Sequence, residues 1–260
     1  MTEVCKGKKL KAVSPLFAGW QETMVWSCLQ DVMGTVYGTA SPEGSGKYGA
    51  AAAVLGDFIF LAGEPEKELL SFLDENCRAE FRILVPRSEE WFEVIGRQFG
   101  PRAKKTTRYA LKKEPGVFER EAFLKAASSL PEGYSLCLID KELYEACREN
   151  TWSRDLVSQF ETYEDYQRLG LGAAVRYGNE LVSGASSYTS YEGGIEIEID
   201  TRKDHRRRGL AFACGARLIL ECLDRGLYPS WDAQNLWSVA LAEKLGYHFD
   251  QEYTAFEVYG

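Results

Sequence analysis

The sequence predicts a mixed α/β protein in which helices pack on a mixed sheet. Short apolar or alternating segments typical of strands are interspersed with segments whose apolar residues recur at spacings of three and four, typical of helices. Hydrophobic residues make up 45% and charged residues 27% of the chain, which is the balance of an ordinary globular domain. At 260 residues, the chain is long enough for one large domain or two small ones.

The first half of the chain, residues 1–130, is predicted to be an α/β domain without a catalytic signature. Two short strands are expected around a Gly56-Asp57 turn, because that dipeptide separates two apolar runs. A helix is expected to begin after Ser88, a good N-cap, and to end at Gly100. The other elements predicted for this half are a helix over 16–36, strands over 81–86 and 107–113, and a helix over 119–130.

The second half, residues 131–260, is predicted to be a separate domain that begins at the Pro131-Glu132-Gly133 turn. Its clearest strand covers 194–201, where isoleucines alternate strictly with acidic residues and the two kinds of side chain face opposite sides of the sheet. The other predicted elements are, in order, a strand over 134–140, helices over 141–150 and 153–170, a strand pair over 172–178 and 180–191, a helix over 208–225, a strand over 228–233, a helix over 235–246 and a strand over 248–259.

Composition argues against several classes of protein. The net charge of -8 disfavours a general nucleic-acid or membrane-surface binder, because both partners are polyanionic. Seven cysteines are scattered without a Cys-x-x-Cys pair and are accompanied by only two histidines, so no metal site is predicted. Such cysteines are typical of reduced thiols, and no apolar run is long enough for a secretory signal or a membrane span. A cytoplasmic protein is therefore expected.

The most informative segment is Glu196–Ala211, in which the alternating strand leads through a loop into a helix. The start of a helix presents free N–H groups and the positive end of the helix dipole, which together bind anions. Gly209 has no Cβ, so a phosphate could approach its backbone closely, and three successive arginines add positive charge. Cys214, Leu218 and Cys222 recur at every fourth residue, which predicts a buried face that holds this helix in place.

The run Arg206-Arg207-Arg208-Gly209-Leu210-Ala211 resembles the pyrophosphate-binding motif of the GNAT acetyltransferase superfamily, Gln/Arg-x-x-Gly-x-Gly/Ala. The strand before it, the helix after it and the later run ending in Lys244-Leu245-Gly246-Tyr247 match that family's order, so the resemblance covers roughly residues 134–260. The segments IEIEIDT, RRRGLA and YPSWDAQN…LAEKLGY are further similar to the bacterial zwittermicin A resistance-like acetyltransferases. Taken alone, the arginine run would indicate a solvated basic helix start or a small nucleic-acid patch.

The resemblance implies a GNAT acyl-CoA N-acyltransferase fold for the second half, with acetyl-CoA as cosubstrate and no metal. It also implies that the strand before the motif splays from its neighbour and that its backbone pairs with the pantetheine arm, where an N–H could stabilise an oxyanion. Asn235 is similar in position to the family's asparagine beside the pantetheine, and a compatible role for it is an N-cap. The residues expected to contact the coenzyme are Ile199, Asp200, Thr201, Arg206, Arg207, Arg208, Gly209, Leu210, Ala211, Asn235 and Ser238.

The chemistry requires a neutral amine. An alkyl amine has a pKa of about 10 and is almost entirely protonated at neutral pH, so a base or a desolvating pocket must supply the free amine. Glu196 and Glu198 project from the strand beside the expected thioester and are the candidate catalytic residues; the alternative is that they form an exposed polar strand face. Ser186 and Ser187, on the neighbouring strand, are weaker candidates for contact with the acceptor.

A proton donor common in the family is absent from its usual place. Many GNAT enzymes have a tyrosine acid for the departing thiolate seven residues after the helix asparagine, and that position is Ala242 here. Because a thiol has a pKa of about 8.5, the thiolate can still leave without full protonation. Tyr247 and Tyr253 are near in sequence, and His205 is expected on the phosphate side of the loop or in solvent.

Two functions therefore remain open at this point. The first is an N-acetyltransferase that moves an acetyl group from acetyl-CoA to an amine of a small molecule by direct attack on the thioester; the second is a catalytically weak acyl-CoA-binding sensor or scaffold. The negative net charge of the chain disfavours nucleic-acid binding through Arg202–Arg208. Neither the acceptor nor the oligomeric state is predicted. The Gly44–Gly49 segment fits Gly-x-Gly-x-x-Gly, but strands rather than a helix follow it, which favours a simple loop.

Overall fold

The computed structural model describes residues 1–41, 47–77 and 79–260. The strands are β1 (Thr2–Cys5), β2 (Thr35–Ala40), β3 (Tyr48–Leu55), β4 (Phe58–Gly63), β5 (Phe81–Pro86), β6 (Ala103–Leu111), β7 (Tyr134–Leu138), β8 (Gly172–Tyr177), β9 (Glu180–Tyr191), β10 (Gly194–Thr201), β11 (Tyr228–Ser230), β12 (Asp232–Ala233) and β13 (Phe249–Tyr259). The helices are α1 (Lys8–Val13), α2 (Thr23–Leu29), α3 (Lys67–Asn76), α4 (Glu90–Phe99), α5 (Arg120–Ser128), α6 (Lys141–Glu149), α7 (Tyr163–Leu169), α8 (Leu210–Asp224) and α9 (Leu236–Lys244). Within the described ranges, no helix has both the length and the hydropathy that crossing a membrane requires.

The chain folds into two compact units. Unit 1 comprises Met1–Arg108 and Glu252–Gly260, and unit 2 comprises Tyr109–Gln251. The chain passes from one unit to the other within β6 and again within β13, whereas the sequence predicts a boundary after residue 130. The difference arises from α5, which precedes the predicted boundary but packs on α8 and contributes Phe123 to the core of unit 2.

In unit 1 the strands follow the order β1-β2-β3-β4-β5-β13. Neighbouring strands are antiparallel except β4 and β5, which are parallel. The predicted Gly56-Asp57 turn is confirmed, because it joins β3 and β4 as an antiparallel pair with Leu55 opposite Phe58. Leucines of α3 and the buried Trp91 and Ile95 of α4 form one hydrophobic core with residues of this sheet. The Gly44–Gly49 loop stays a prediction, because residues 42–46 lie outside the described part of the chain.

The predicted helix over 16–36 is wrong in its extent. Helix α2 covers only residues 23–29, and β2 follows soon after it. Gly19 and Gly34 have φ angles of 77° and 81°, which lie outside the right-handed helical region and interrupt the pattern on either side of α2. At Gly34 a Cβ would lie 2.6 Å from the Sγ atom of Cys28, so only glycine fits this reversal.

Unit 2 is built on a five-stranded sheet with the order β11-β10-β9-β8-β7. Strands β10 and β11 are parallel and the other neighbours are antiparallel, so the predicted mixed α/β class is confirmed. Helix α8 packs on β8, β9 and β10, with Cys214, Leu218 and Cys222 fully buried as expected. Ile195 and Ile197 of β10 belong to the same core, so the acidic side chains of β10 lie on the opposite face.

Candidate active site

Two neighbouring strands of unit 2 separate part-way along their length. Strand β10 pairs with β9 from end to end, but with β11 only where residues 194–196 lie beside 228–230. After Ser230 the chain leaves this sheet at the buried Trp231 and forms β12, which pairs with the end of β6. Beyond Glu196, the edge of β10 that faces away from β9 is therefore open among the described residues, and an extended ligand could form strand-like hydrogen bonds there.

The loop between β10 and α8 ends in an exposed glycine. Helix α8 begins at Leu210, and Gly209 is its N-terminal cap residue, with φ 79° and ψ 2°. A Cβ at Gly209 would meet no described atom within 4 Å, so the space beside this backbone is open. The first N–H groups of a helix have no acceptor within the helix and carry the positive end of its dipole. An anion therefore has free access to the start of α8.

The three arginines of the motif all lie in this loop, because the helix begins two residues after the predicted start at Arg208. Arg206 donates from Nε to the carbonyl oxygen of Thr201 at 2.9 Å, which ties the loop to the end of β10. Arg207 has a φ of 60°, a left-handed conformation that few residues other than glycine adopt. Arg207 and Arg208 are exposed, and neither side chain makes a hydrogen bond or ion pair with another described residue. Their charges are available to an anion at the helix start.

Residues 199–201 form the segment predicted to pair with the pantetheine arm, and their side chains make contacts within the fold. Thr201 Oγ1 lies 2.7 Å from Ser183 Oγ, and both residues are buried. Ile199 packs on Gly215 of α8, where an added Cβ would lie 3.2 Å from Ile199 Cδ1. The carboxylate of Asp200 accepts from the backbone N–H of Thr201 at 2.6 Å, and burial raises the pKa of this carboxyl above its ordinary value. What this segment offers a ligand is its backbone at the open edge.

Glu196 is a buried carboxylate at the point where β10 and β11 separate. Its exposure of 6% contradicts the alternative of an exposed polar strand face. Glu196 lies beside Ser230 in the parallel register, and Ser230 Oγ lies 2.9 Å from Tyr191 Oη. Burial raises the pKa of Tyr191 to about 12, and the nearby charge of Glu196 adds to the shift. A carboxylate and two buried hydroxyls therefore meet at the base of the opening.

Sequence reasoning did not find Tyr191 or Ser230. The two-residue turn Glu192-Gly193 places Tyr191 opposite Gly194, so the hairpin register carried a signal for this tyrosine. Ser230 had no such signal, because the pairing of β10 with β11 is parallel and joins segments more than 30 residues apart.

Glu198 lies two residues further along the same face and is half-buried. Its partner in the antiparallel register is Ser186, whose Oγ lies 2.8 Å from Tyr166 Oη of α7. The neighbouring Ser187 accepts from the backbone N–H of Leu171 at 2.8 Å. Both serines are fully buried and hydrogen-bonded within the fold, which disfavours the predicted contact with an acceptor. Of the two predicted catalytic residues, Glu198 is the one with access to solvent.

Asn235 caps helix α9. Its Oδ1 accepts from the backbone N–H of Ser238 at 3.0 Å and lies 3.4 Å from the Oγ of the same serine, so the predicted N-cap role is confirmed. Asn235 itself is exposed, and the next two residues, Leu236 and Trp237, are 63% and 87% exposed. The start of α9 therefore presents an amide and two apolar side chains to solvent.

The position of the missing tyrosine acid is a core position. Ala242 is fully buried, and its methyl side chain has no proton to donate. Tyr247 is also buried and donates from Oη to the carbonyl oxygen of Pro229 at 2.6 Å, and burial raises its pKa well above the ordinary value. Its hydroxyl holds β11 in place and is a poor substitute for the absent acid.

His205 lies beneath the arginine loop, contrary to the expectation that it faces phosphate or solvent. The residue is 8% exposed, and its Nδ1 lies 2.8 Å from Tyr134 Oη. Its Nε2 lies 2.9 Å from the NH2 atom of Arg202. A short 3-10 turn over Lys203–His205 brings the ring inward, which the sequence pattern did not reveal.

A family model described as GNAT acetyltransferase matches residues 14–256. The chain belongs to the GNAT acetyltransferase family. The match begins far before residue 134, where the sequence resemblance starts, so the first half of the chain is part of the same family pattern. The predicted GNAT fold is confirmed, and the family's activity makes this protein an N-acetyltransferase. GNAT acetyltransferases bind an acyl-CoA and an acceptor.

Known GNAT proteins resemble the chain over most of its length. The Bacillus subtilis (strain 168) protein described as uncharacterized N-acetyltransferase YdfB is 29% identical over 212 residues, covering 76% of this chain and 76% of that protein. A crystal structure of a GCN5-related N-acetyltransferase-like protein from Streptococcus suis 89/1591 is 44% identical, with a TM-score of 0.88 and coverage of 96% of this chain and 98% of that one. A GCN5-related N-acetyltransferase from Sphaerobacter thermophilus shares the fold, with 16% identity, a TM-score of 0.61 and coverage of 100% and 95%.

Proposed function

We propose that the protein transfers an acetyl group from acetyl-CoA to an amine of a small molecule, with the coenzyme diphosphate bound at the start of α8. The observation that carries this proposal is the combination of an open backbone at Gly209 with two arginines, Arg207 and Arg208, that have no partner among the described residues. N–H groups at a helix start bind phosphate oxygens, and guanidinium groups form charge-assisted hydrogen bonds with them. Leu210 and Ala211 supply further N–H groups of the same turn.

The remaining coenzyme contacts follow from the opening between β10 and β11. We propose that the pantetheine arm extends from the arginine loop along the backbone of residues 199–201 toward Glu196. Asn235 and Ser238, at the exposed start of α9, are proposed as further contacts. The coenzyme supplies a thioester whose acyl carbon is electrophilic, and the protein supplies its position and an N–H group for the developing oxyanion.

The two acidic residues have different proposed roles. Glu198 is half-buried and so can take a proton from the amine and pass it to solvent, which makes it the proposed general base. Glu196 is buried at the base of the opening, where its charge favours the positive character that the amine nitrogen gains as it attacks. Because Ala242 cannot donate a proton, the thiolate is proposed to leave without a dedicated acid.

The acceptor class is a further proposal. The segments that resemble zwittermicin A resistance-like acetyltransferases favour an amino-bearing antibiotic as acceptor. The seven free cysteines favour the cytoplasm as the compartment, because reduced thiols are stable there. A screen of amine-bearing compounds that includes such antibiotics, with release of free CoA as readout, tests the acceptor class. Coenzyme binding without CoA release in every case would favour the sensor or scaffold function instead.

The coenzyme site is tested by titration calorimetry with acetyl-CoA. The double variant Arg207→Ala/Arg208→Ala is expected to bind at least about tenfold more weakly, since each lost charge-assisted hydrogen bond contributes roughly 1.5–3 kcal/mol. The matched control is Arg97→Ala, which removes an exposed arginine of α4 in unit 1. Equal affinity of the double variant and the wild type would contradict the proposed diphosphate site.

A further inference from the structure

A polar cluster lies beneath the arginine loop and takes no part in the proposed reaction. His205 ends a 3-10 turn and is 8% exposed. Its Nδ1 lies 2.8 Å from Tyr134 Oη of β7, and its Nε2 lies 2.9 Å from the NH2 atom of Arg202. The imidazole also packs against Tyr177 of β8, with 5.5 Å between ring centroids. The ring therefore joins the loop to two strands of the sheet.

The hydrogen-bonding capacity of these groups sets the direction of both hydrogen bonds of His205. A guanidinium can only donate, so Nε2 of His205 accepts from Arg202. Nδ1 then carries the N–H group and donates to Tyr134 Oη.

Acidic partners hold Arg202 in this arrangement. Its Nε and NH2 donate to the two carboxylate oxygens of Asp204 at 2.8 and 3.1 Å, and its NH1 donates to Glu180 at 2.8 Å. These hydrogen bonds raise the pKa of Arg202 and lower the pKa of Asp204. The Oδ2 atom of Asp204 also lies 3.5 Å from Nε2 of His205. The charged groups that face the imidazole are therefore Arg202 and Asp204, with Glu180 behind Arg202.

We infer that His205 is a positioning residue that fixes the arginine loop for the coenzyme diphosphate. This inference rests on the proposed coenzyme site. The chain leaves His205 directly into Arg206, Arg207, Arg208 and Gly209, all of which are exposed. On its other side the loop is tied to β10 through the bond from Arg206 to Thr201. Without the two hydrogen bonds of His205, the loop would have to become ordered when the coenzyme binds. The entropic cost of that ordering weakens coenzyme affinity.

Three variants separate the two hydrogen bonds of the ring. In His205→Gln the amide oxygen reaches the position of Nε2 and still accepts from Arg202. In His205→Asn the shorter amide reaches only the position of Nδ1, toward Tyr134. In His205→Phe the ring packing is kept and both hydrogen bonds are lost. Binding of CoA is measured by calorimetry at neutral pH, together with amide hydrogen exchange over residues 206–212.

The expected order of CoA affinity at neutral pH is wild type, His205→Gln, His205→Asn and His205→Phe, with the last roughly tenfold weaker than the wild type. The phenylalanine variant is also expected to exchange faster over 206–212 without ligand, and His205→Gln is expected to exchange at nearly the wild-type rate. A simple loss of packing would not produce this order.

The outcomes distinguish the two proposals. If the wild type does not bind CoA, the proposed function fails and this inference fails with it. If the wild type binds CoA and His205→Phe matches its affinity and its exchange over 206–212, the inference alone is overturned. Should His205→Phe not fold, the asparagine variant decides: CoA affinity and exchange equal to those of the wild type overturn the inference.

Discussion

Glu196 and Glu198 share one face of β10 but differ in their access to water, and this difference assigns their proposed roles. Glu196 is 6% exposed and lies beside the hydroxyl pair of Ser230 and Tyr191, whereas Glu198 is half-buried and lies opposite Ser186. A base that must release its proton after each turnover needs a path to solvent, which Glu198 has and Glu196 lacks. The alternation of the strand could be predicted from sequence; the burial of one carboxylate could not, because it depends on the distant β11.

The variant Glu198→Gln tests the assigned base. A general base contributes roughly 10²–10⁴-fold to the rate, so kcat is expected to fall by that factor while acetyl-CoA affinity is kept. Steady-state CoA release with the best acceptor of the screen provides the measurement. Glu192→Gln, in the exposed β9–β10 turn, is the matched control. A Glu198→Gln enzyme with wild-type kcat would exclude this carboxylate as the base.

The variant Asp200→Asn tests how the charge at the end of β10 affects the free energy of unfolding. Burial raises its folded-state pKa above the unfolded value, so ionisation disfavours the folded state. The contribution of this group to stability is therefore present below the unfolded pKa and lost as the pH rises through the folded pKa. Asp200→Asn keeps an oxygen for the N–H of Thr201 and is expected to raise the free energy of unfolding at neutral pH, by less than about 1 kcal/mol because the side chain is partly exposed.

Urea unfolding of Asp200→Asn at neutral and acidic pH measures this effect. The stability gain is expected to shrink as the pH falls through the folded-state pKa, because the wild-type carboxyl is then protonated as well. A variant that is less stable than the wild type at neutral pH would show that the ionised carboxylate is favoured in the fold, against the raised pKa.

At the scale of elements, the loop and the first turn of α8 form the part of the site that sequence predicted best. The glycine, the arginines and the buried face of α8 all follow from local pattern and motif. The prediction placed the helix start two residues early, because it could not see that Gly209 adopts φ 79° and ends the loop. Strand β11 separates from β10 because the chain after β11 forms β12, which pairs with β6 of the other sheet. Among the sequence observations, only the family resemblance predicted this separation.

The variant Gly209→Ala tests the role of the turn that precedes α8 in CoA binding. Gly209 and Gly178 both have positive φ, 79° and 58°, and at both positions an added Cβ meets no described atom within 4 Å. Alanine at either position is therefore expected to cost roughly 1 kcal/mol of stability through backbone strain. Only Gly209→Ala is expected to weaken CoA binding, because its Cβ occupies the space of the diphosphate. Equal CoA affinity in the two variants, measured by calorimetry, would place the diphosphate elsewhere.

At the scale of the whole molecule, the chain does not divide where its sequence suggested. The Pro131-Glu132-Gly133 turn has the composition of a linker, yet α5 before it belongs to unit 2. Composition identifies a turn but does not tell which core a preceding helix joins, because that depends on contacts such as those of Phe123 with residues distant in sequence. The family model matches residues 14–256, so the family pattern includes both predicted halves of the chain.

Fragment 131–260, cut at the predicted boundary, tests this division. The cut removes Leu111 and Phe123, which are each 3% exposed in the core of unit 2. Loss of a buried phenylalanine side chain alone costs about 3–5 kcal/mol, a large part of the stability of a domain. The fragment is therefore expected to lack a cooperative thermal transition by circular dichroism. A fragment that melts cooperatively and binds CoA would show that the predicted boundary is functional.

The proposed coenzyme site requires that the amides around Gly209 bind the coenzyme diphosphate. Amide hydrogen exchange with and without saturating CoA tests this requirement, because exchange reports on each N–H group of this turn. Protection is expected over residues 207–212, with little change in α4 of unit 1. Binding of CoA that leaves the exchange of 207–212 unchanged would show that the diphosphate binds elsewhere.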